Sequence, residues 1–247
     1  MIILVVLASF IPALLLYLYL SKRKDDPQYK KYCGTMFLAG VLSSFGVVGL
    51  DLILTIALKL LKLNEVHPLL SAALKCFLVN AFAEEYMKYH FTRKRIKKHQ
   101  IRYSFLDLIS YFCITALGFE ILESIVYAFT TNPMQIIVRG LTCLHGCYGL
   151  TMGYFMAKKE ATGEKKYGLY GLLIPMLLHG FYNFFLSEAI PEPYDMLVLV
   201  FLFAAIIIGV RLLIWMRKNK DKEEYNRILN PLAVPDDTDI RTEEVQS

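Results

Sequence analysis

The residues of this chain that could do chemistry are acids and histidines standing inside apolar runs. One run holds Ala83-Glu84-Glu85-Tyr86-Met87-Lys88, and the next holds Gly118-Phe119-Glu120-Ile121-Leu122-Glu123-Ser124. Two later runs carry His145 and His179-Gly180-Phe181-Tyr182-Asn183. On a helix, Glu84 and Glu85 project about 100° apart and should not both serve one face, whereas Glu84 and Lys88 at i,i+4 should pair. Glu120 and Glu123, three apart, share nearly one face with no base within a turn. They need partners from other helices, a cation, or a proton gained by desolvation. His179 and Asn183 stack one turn apart. An ionisable group at the middle of a membrane helix costs at least ~2.5 kcal/mol, so such groups persist where they are paired, hydrated or useful.

Carboxylates and imidazoles offered from several helices are the ligands a zinc ion would take, commonly three from the protein with water in the fourth position. A further carboxylate could remove the water's proton as it attacks an amide. An amide side chain or second imidazole could then stabilise the oxyanion. From the residues alone three readings stand: a hydrolase, an ion- or proton-coupled transporter, and purely structural ion pairing. The Cys143-x-His145-x-Cys147 run invites a joint metal site. On a helix, however, the two cysteines share a face while His145 points about 200° away from Cys143. Asp51 lies deep in its run and should pair with Lys75 or Arg139 across helices. Lys75, Arg139 and Arg211 lie near span ends, from where long side chains reach the headgroups.

The elements that must position these groups are membrane helices. The chain has 247 residues, 56% of them apolar, and a mean hydropathy of +0.44, too oily for a soluble domain. Seven apolar runs, at 2–20, 34–61, 69–91, 104–129, 134–157, 167–187 and 196–216, are each long enough to cross a ~30 Å hydrocarbon core. The expected fold is an all-α polytopic bundle of about seven transmembrane helices. Lys22, Arg23, Lys24, Lys30 and Lys31 follow the first run, Arg93 to Arg102 the third, and Lys158, Lys159, Lys165 and Lys166 the fifth. The connections at 64–68, 130–133 and 188–195 carry neither Lys nor Arg. The positive-inside rule then places the amino terminus outside and the carboxyl terminus in the cytoplasm. The net charge of +5 lies mostly in these connections and speaks of orientation, not of nucleic acid.

The first run has its basic cluster after it, the reverse of a cleavable signal peptide, and reads as a retained helix. Residues 1–216 form the expected membrane domain, with its core at 69–187. Residues 217–247, with Pro231, Pro235 and a run of acids, read as a flexible cytoplasmic tail. The five cysteines lie in or beside spans, which excludes a disulfide framework. Gly149-x-x-x-Gly153 offers a small-residue seam for close helix approach.

Taken in order, Glu84-Glu85-x-x-Lys88, Phe119-x-x-x-Glu123, His145 and His179-x-x-x-Asn183 resemble the PrsW-type intramembrane proteases, relatives of the CAAX prenyl-protein endopeptidases. The likeness covers about residues 83–184. It implies an intramembrane endopeptidase with Glu84 as the water-activating residue and Glu85 and Lys88 completing the motif. Glu123, His145 and His179 would hold a metal, Zn2+ in the first instance, although a glutamate and a histidine can activate water without one. Asn183 would orient His179 or assist the oxyanion. The chain departs from the pattern at Ser124, where Asn is expected, and at Glu120, an extra acid that competes as ligand. The resemblance also implies a multi-pass bacterial cell-membrane protein. Its substrate would be a single-span membrane protein, notably an anti-sigma factor, cut near the extracytoplasmic side in stress signalling. With the third span's outer boundary at Lys75, the candidate groups lie ~9–16 Å below that surface.

The topology has a direct readout. A cysteine introduced as Glu65→Cys should react with a membrane-impermeant maleimide added to intact cells, and Lys97→Cys should react only after permeabilisation.

Overall fold

The computed structural model describes residues 10–63, 65, 67–128 and 142–230. The expectations for residues 2–9, for Asn64 and Val66, for the 130–133 connection, for Arg139 and the rest of 134–141, and for the tail beyond Asn230 lie outside the described residues. The regular structure is helical: α1 (Ile11–Ser21), α2 (Pro27–Leu60), α3 (Pro68–Ala73), a π-helical stretch (Leu74–Phe82), α4 (Ala83–Lys98), α5 (Phe105–Ala128), α6 (Leu144–Thr162), α7 (Lys165–Phe185), α8 (Val198–Lys218) and the short α9 (Glu223–Asn226). A single antiparallel bridge, Ser104 with Ile228, is the one extended pairing among the described residues.

Local chemistry accounts for several boundaries. The Asp26 carboxylate accepts from the Gln28 amide, and Pro27 takes the first helical position of α2, where its missing N–H costs nothing. Gly163, at φ 75°, ends α6 in the left-handed conformation that glycine adopts freely. Among the described residues, four helices are long and apolar enough to cross a membrane: Pro27–Leu60, Phe105–Tyr127, Lys165–Phe185 and Tyr194–Lys218. The run expected at 69–91 is composite, with α3, the π-helical stretch and α4 following one another without a gap to Lys98. The unbroken helix expected over 134–157 is not formed, because Cys143 has a left-handed backbone at φ 47° and α6 begins only at Leu144.

Helix α5 is the hub. Of its most apolar window 89% is buried, whereas the windows of the other three crossing helices are at most 28% buried. The outer helices turn large apolar side chains outward, among them Phe45, Val48, Leu52, Ile53, Phe203 and Ile207. A surface of that kind is at rest in lipid and not in water. Two glycine contacts draw neighbours onto the hub. A Cβ on Gly149 would lie 2.8 Å from the Cys113 Cα and one on Gly153 would lie 2.7 Å from the Ile109 Cα, so the expected seam of α6 faces α5. Between α2 and α5 the approach is closer still, since a Cβ on Gly40 would run into the Thr115 carbonyl and one on Gly118 into the Phe37 carbonyl.

The basic connections gather at one end. Arg23 and Lys24 both bond Asp107 at the start of α5, Lys24 at 2.7 Å, and Arg93 bonds Glu160 at 3.0 Å. The chain beyond α8 returns to the same end. The Leu229 amide donates to the Tyr103 carbonyl at 3.0 Å, and the Asn230 side chain accepts from the Tyr103 amide at 2.9 Å and donates to the Ile101 carbonyl at 3.0 Å. Residues that composition alone assigns to the flexible tail are therefore docked as far as Asn230.

Replacing Gly40 with Val should force α2 off α5 and lower stability by about 1–3 kcal/mol, as overpacking generally does. Thermal unfolding of the detergent-solubilised protein should show a clear fall in Tm. Gly34→Ala, whose Cβ meets nothing within 4 Å, should leave it unchanged.

Candidate active site

The acids and histidines read from the sequence converge on one centre. Glu84 and Glu85 stand in the first turn of α4, immediately after the π-helical stretch, a form often found at functional positions because it shifts the register of the side chains that follow. Helix α6 supplies His145 in its first turn, and α7 supplies His179 one turn beyond Pro175, which removes a backbone N–H from that helix. Ligating atoms of Glu84, Glu85, His145 and His179 all lie within 4.8 Å of one another. Adjacent glutamates thus serve one centre after all, contrary to the expectation from their 100° separation. The reason is that partners from two further helices close over both, and each carboxylate sits on two flexible methylenes.

Lys88 is 2% exposed and organises the charges. Its ammonium donates to Glu85 Oε1 at 2.7 Å and to His145 Nδ1 at 2.8 Å, and it rests over the Phe119 ring with Nζ 4.2 Å from the centroid. Glu84 Oε2, the partner expected one turn away, is farther, at 3.7 Å. A lysine ammonium only donates, so the proton of a neutral His145 sits on Nε2, which donates to Glu123 Oε2 at 2.8 Å. His179 Nδ1 donates to Glu85 Oε1 at 3.2 Å, and this leaves a lone pair on Nε2. That nitrogen faces Glu84 Oε2 at 4.0 Å, and His145 Nε2 lies 3.9 Å from the same oxygen.

Other sequence candidates are placed differently. Glu120 is bonded by the Cys143 thiol at 3.6 Å, while Glu123 is the acid that reaches His145. Cys147 lies against Gly209 of α8, away from His145, so the three-residue Cys/His run is not assembled. Asp51 and Lys75 both line one cavity, yet no ion pair joins them among the described residues, and Asp51 Oδ1 is buried without a hydrogen-bond partner there. Asn183 lines the space in front of His179 and Glu123. Arg211 is exposed.

Two contributors had no signal in spacing or charge. Tyr148 stacks on His179 with ring centroids 5.2 Å apart and ends in a buried hydroxyl unpartnered among the described residues. The Thr92 hydroxyl donates to the Lys88 carbonyl at 2.8 Å and accepts from the Thr115 hydroxyl of α5 at 3.0 Å, anchoring the turn that carries the lysine. Only the position of Tyr148 one turn after His145 could have pointed to it.

The centre fits a cation. Glu84 Oε2 and Glu85 Oε2 are buried without hydrogen-bond partners among the described residues, a costly state for carboxylate oxygens that a metal ion would relieve. Glu84, Glu85 and Glu123 also outnumber Lys88, which pairs with the first two and is linked to Glu123 only through His145. Separations near 4 Å between Glu84 Oε2 and the two Nε2 atoms are slightly wider than the ~3.3 Å edges of a tetrahedral zinc shell with ~2.0 Å bonds. The centre is reached through a cavity of about 900 Å3 lined by Glu84, Glu123, His179 and Asn183 at its floor and by Pro68, Ser71, Leu186 and Glu188 toward its mouth.

A helical membrane bundle enclosing carboxylates, imidazoles and a route for water fits a membrane-embedded enzyme of the hydrolytic kind. Residues 30–210 match the family described as PrsW family intramembrane metalloprotease, and the chain belongs to that family. Curated relatives named Protease PrsW include those of Geobacillus kaustophilus, 29% identical over 90% of this chain and 92% of the relative, and of Bacillus subtilis, 30% identical over 77% and 86%. That of Oceanobacillus iheyensis is 30% identical over 71% of this chain and 78% of the relative. No solved structure gives a significant match. The protein is a multi-pass membrane peptidase, and the ion-transport reading has no support among these relatives.

Removing the buried ammonium should unfold the centre. Lys88→Met leaves Glu85 without its closest partner, a change that costs about 3–5 kcal/mol where a buried pair is broken. The variant should melt well below the parent, and Lys88→Met with Glu85→Gln should recover most of the loss in the same thermal assay.

Proposed function

We propose that this chain is an intramembrane endopeptidase that cuts a single-span membrane protein, of the anti-sigma-factor kind, near its extracytoplasmic side. The observation that carries the reading is Glu84 Oε2: buried, without a hydrogen-bond partner among the described residues, and about 4 Å from both imidazole Nε2 atoms at the floor of the large cavity. Glu84 takes a proton from water as the oxygen attacks the peptide carbonyl, and returns it to the leaving amine. The Tyr148 hydroxyl and the Asn183 amide hydrogen-bond the oxyanion, and Glu85 holds His179 through Nδ1. The ligand set implied by the resemblance, His145, His179 and Glu123, would hold a zinc ion once the His145–Glu123 hydrogen bond opens, and the ion when bound would lower the pKa of its water and polarise the carbonyl. One observation favours a metal-free version of the same reaction: both nitrogens of His145 are engaged, Nδ1 by Lys88 and Nε2 by Glu123.

Support for an extracytoplasmic cut comes from the cavity, whose mouth is formed by the start of α3 and the chain just past α7, the end opposite the basic connections. With seven crossings and the basic connections in the cytoplasm, that mouth faces outward in the cell membrane. A helical substrate must unwind to expose its amide to water, and it does so most readily near a span end.

Purified Glu84→Gln should keep the parent's Tm and lose cleavage of a membrane-anchored reporter by about 10²–10⁴-fold. A variant that still cleaves at the parent's rate removes Glu84 as the base. Equimolar zinc in the purified protein, with chelator-sensitive cleavage, assigns the metal-dependent version. Full activity with no bound metal assigns the other.

A further inference from the structure

A second cavity, of about 420 Å3, lies at the opposite end of the molecule between the ends of α1 and α8. Helix α1 packs chiefly on α5, and α8 on α6 and α7, so the two ends stand beside each other with a gap between. Lys22 and Arg23 enter this gap from one side and Arg217 and Lys220 from the other, with Leu18 and Met216 forming its apolar upper wall. No acid lines it. Of the four cations, Arg23 alone has a carboxylate partner among the described residues, and that carboxylate, Asp107, is shared with Lys24.

Four like charges around one space make a site of strongly positive potential that favours an anion. Basic residues at helix C-termini are explained in part by the helix dipole, which they complement. The dipole does not explain a cavity, nor does it explain Arg23. The Arg23 side chain is only 10% exposed, and its Nε is buried with no hydrogen-bond partner among the described residues. Its guanidinium is held by Asp107 and lies 5.1 Å from the Tyr29 ring centroid, so it forms a fixed corner of the cationic rim. The volume lies within the ~300–1,000 Å3 of small-molecule sites. Above the cations, Leu14, Leu15, Val210 and Ile214 present exposed apolar side chains on α1 and α8.

We propose that this cavity holds the phosphate of an anionic phospholipid, with its acyl chains along the exposed faces of α1 and α8. The charged headgroup meets Lys22, Arg23, Arg217 and Lys220, and the tails lie against surfaces that already face lipid. The bound lipid joins two helices that otherwise share little packing. Because Arg23 also bonds Asp107 at the start of α5, the lipid adds a contact to the hub helix of the bundle.

The test uses the full chain in a mild detergent, read by native mass spectrometry and by thermal unfolding with phosphatidylglycerol, phosphatidylcholine or inorganic phosphate added. One phosphatidylglycerol should be retained and should raise Tm, and phosphatidylcholine should do neither. Replacing Lys22, Arg217 and Lys220 together with Gln should weaken phosphatidylglycerol binding at least about tenfold, since each basic residue near an anionic lipid contributes a several-fold attraction. The same substitution at Lys31, Lys97 and Lys98, which removes equal charge from the same end outside the cavity, should leave binding unchanged. Equal losses in both triple variants, or equal binding of the two lipids, would overturn the proposal. So would a rise in Tm with inorganic phosphate as large as that with the lipid, because the site would then accept a soluble anion with no need of acyl chains.

Discussion

Lys88 is the point on which the centre depends. A lysine ammonium that is 2% exposed, inside a bundle whose outer surface faces lipid, has no water to return to, so every group around it must be in place at once. Its partners come from separate elements: Glu85 from its own helix, His145 from α6, and the ring of Phe119 from α5, with His179 of α7 tied in through Glu85. The same buried charge fixes how four helices meet. A change that frees the lysine disturbs packing as much as chemistry.

That dependence explains the uneven distribution of close packing. The helix carrying Phe119, Glu120 and Glu123 is buried along most of its length, and glycines on α2 and α6 let backbones approach it where a Cβ would collide with carbonyls or Cα atoms. The peripheral helices show large apolar side chains to their surroundings and need no such fit. At the basic end, Asp107 gathers Arg23 and Lys24, and the returning chain up to Asn230 bonds the backbone at Ile101 and Tyr103. One end of the hub is thereby tied down while the other opens on the large cavity.

Membership of the PrsW family gives the class of protein, and the geometry gives each residue of the centre its individual bonds. Glu85 holds Lys88 and His179, which leaves Glu84 with an uncommitted oxygen facing the two histidines. Glu120 and Glu123, equivalent in spacing, are separated by environment: one meets a thiol and the other an imidazole.

The membrane class, the helical architecture and the identity of the acids and histidines were legible in the chain itself. Mean hydropathy and the placement of Lys and Arg are additive along a sequence, and a charge inside an apolar run stands out without any knowledge of its neighbours. What no local pattern contained was convergence. Glu84 and Glu85 meet the same two histidines because a π-helical stretch precedes them and α6 and α7 close over both. His145 lies in the first turn of its helix because Cys143 adopts a left-handed backbone within an otherwise apolar run. Tyr148 enters the site by stacking on a ring from another helix, and Asp51 finds no ion-pair partner in Lys75 although charge alone would join them. Sequence periodicity describes the direction of a side chain from its own helix axis. Which groups come within hydrogen-bonding distance is decided by the crossing of several axes, and that is set by glycine contacts and buried charges far apart in the chain.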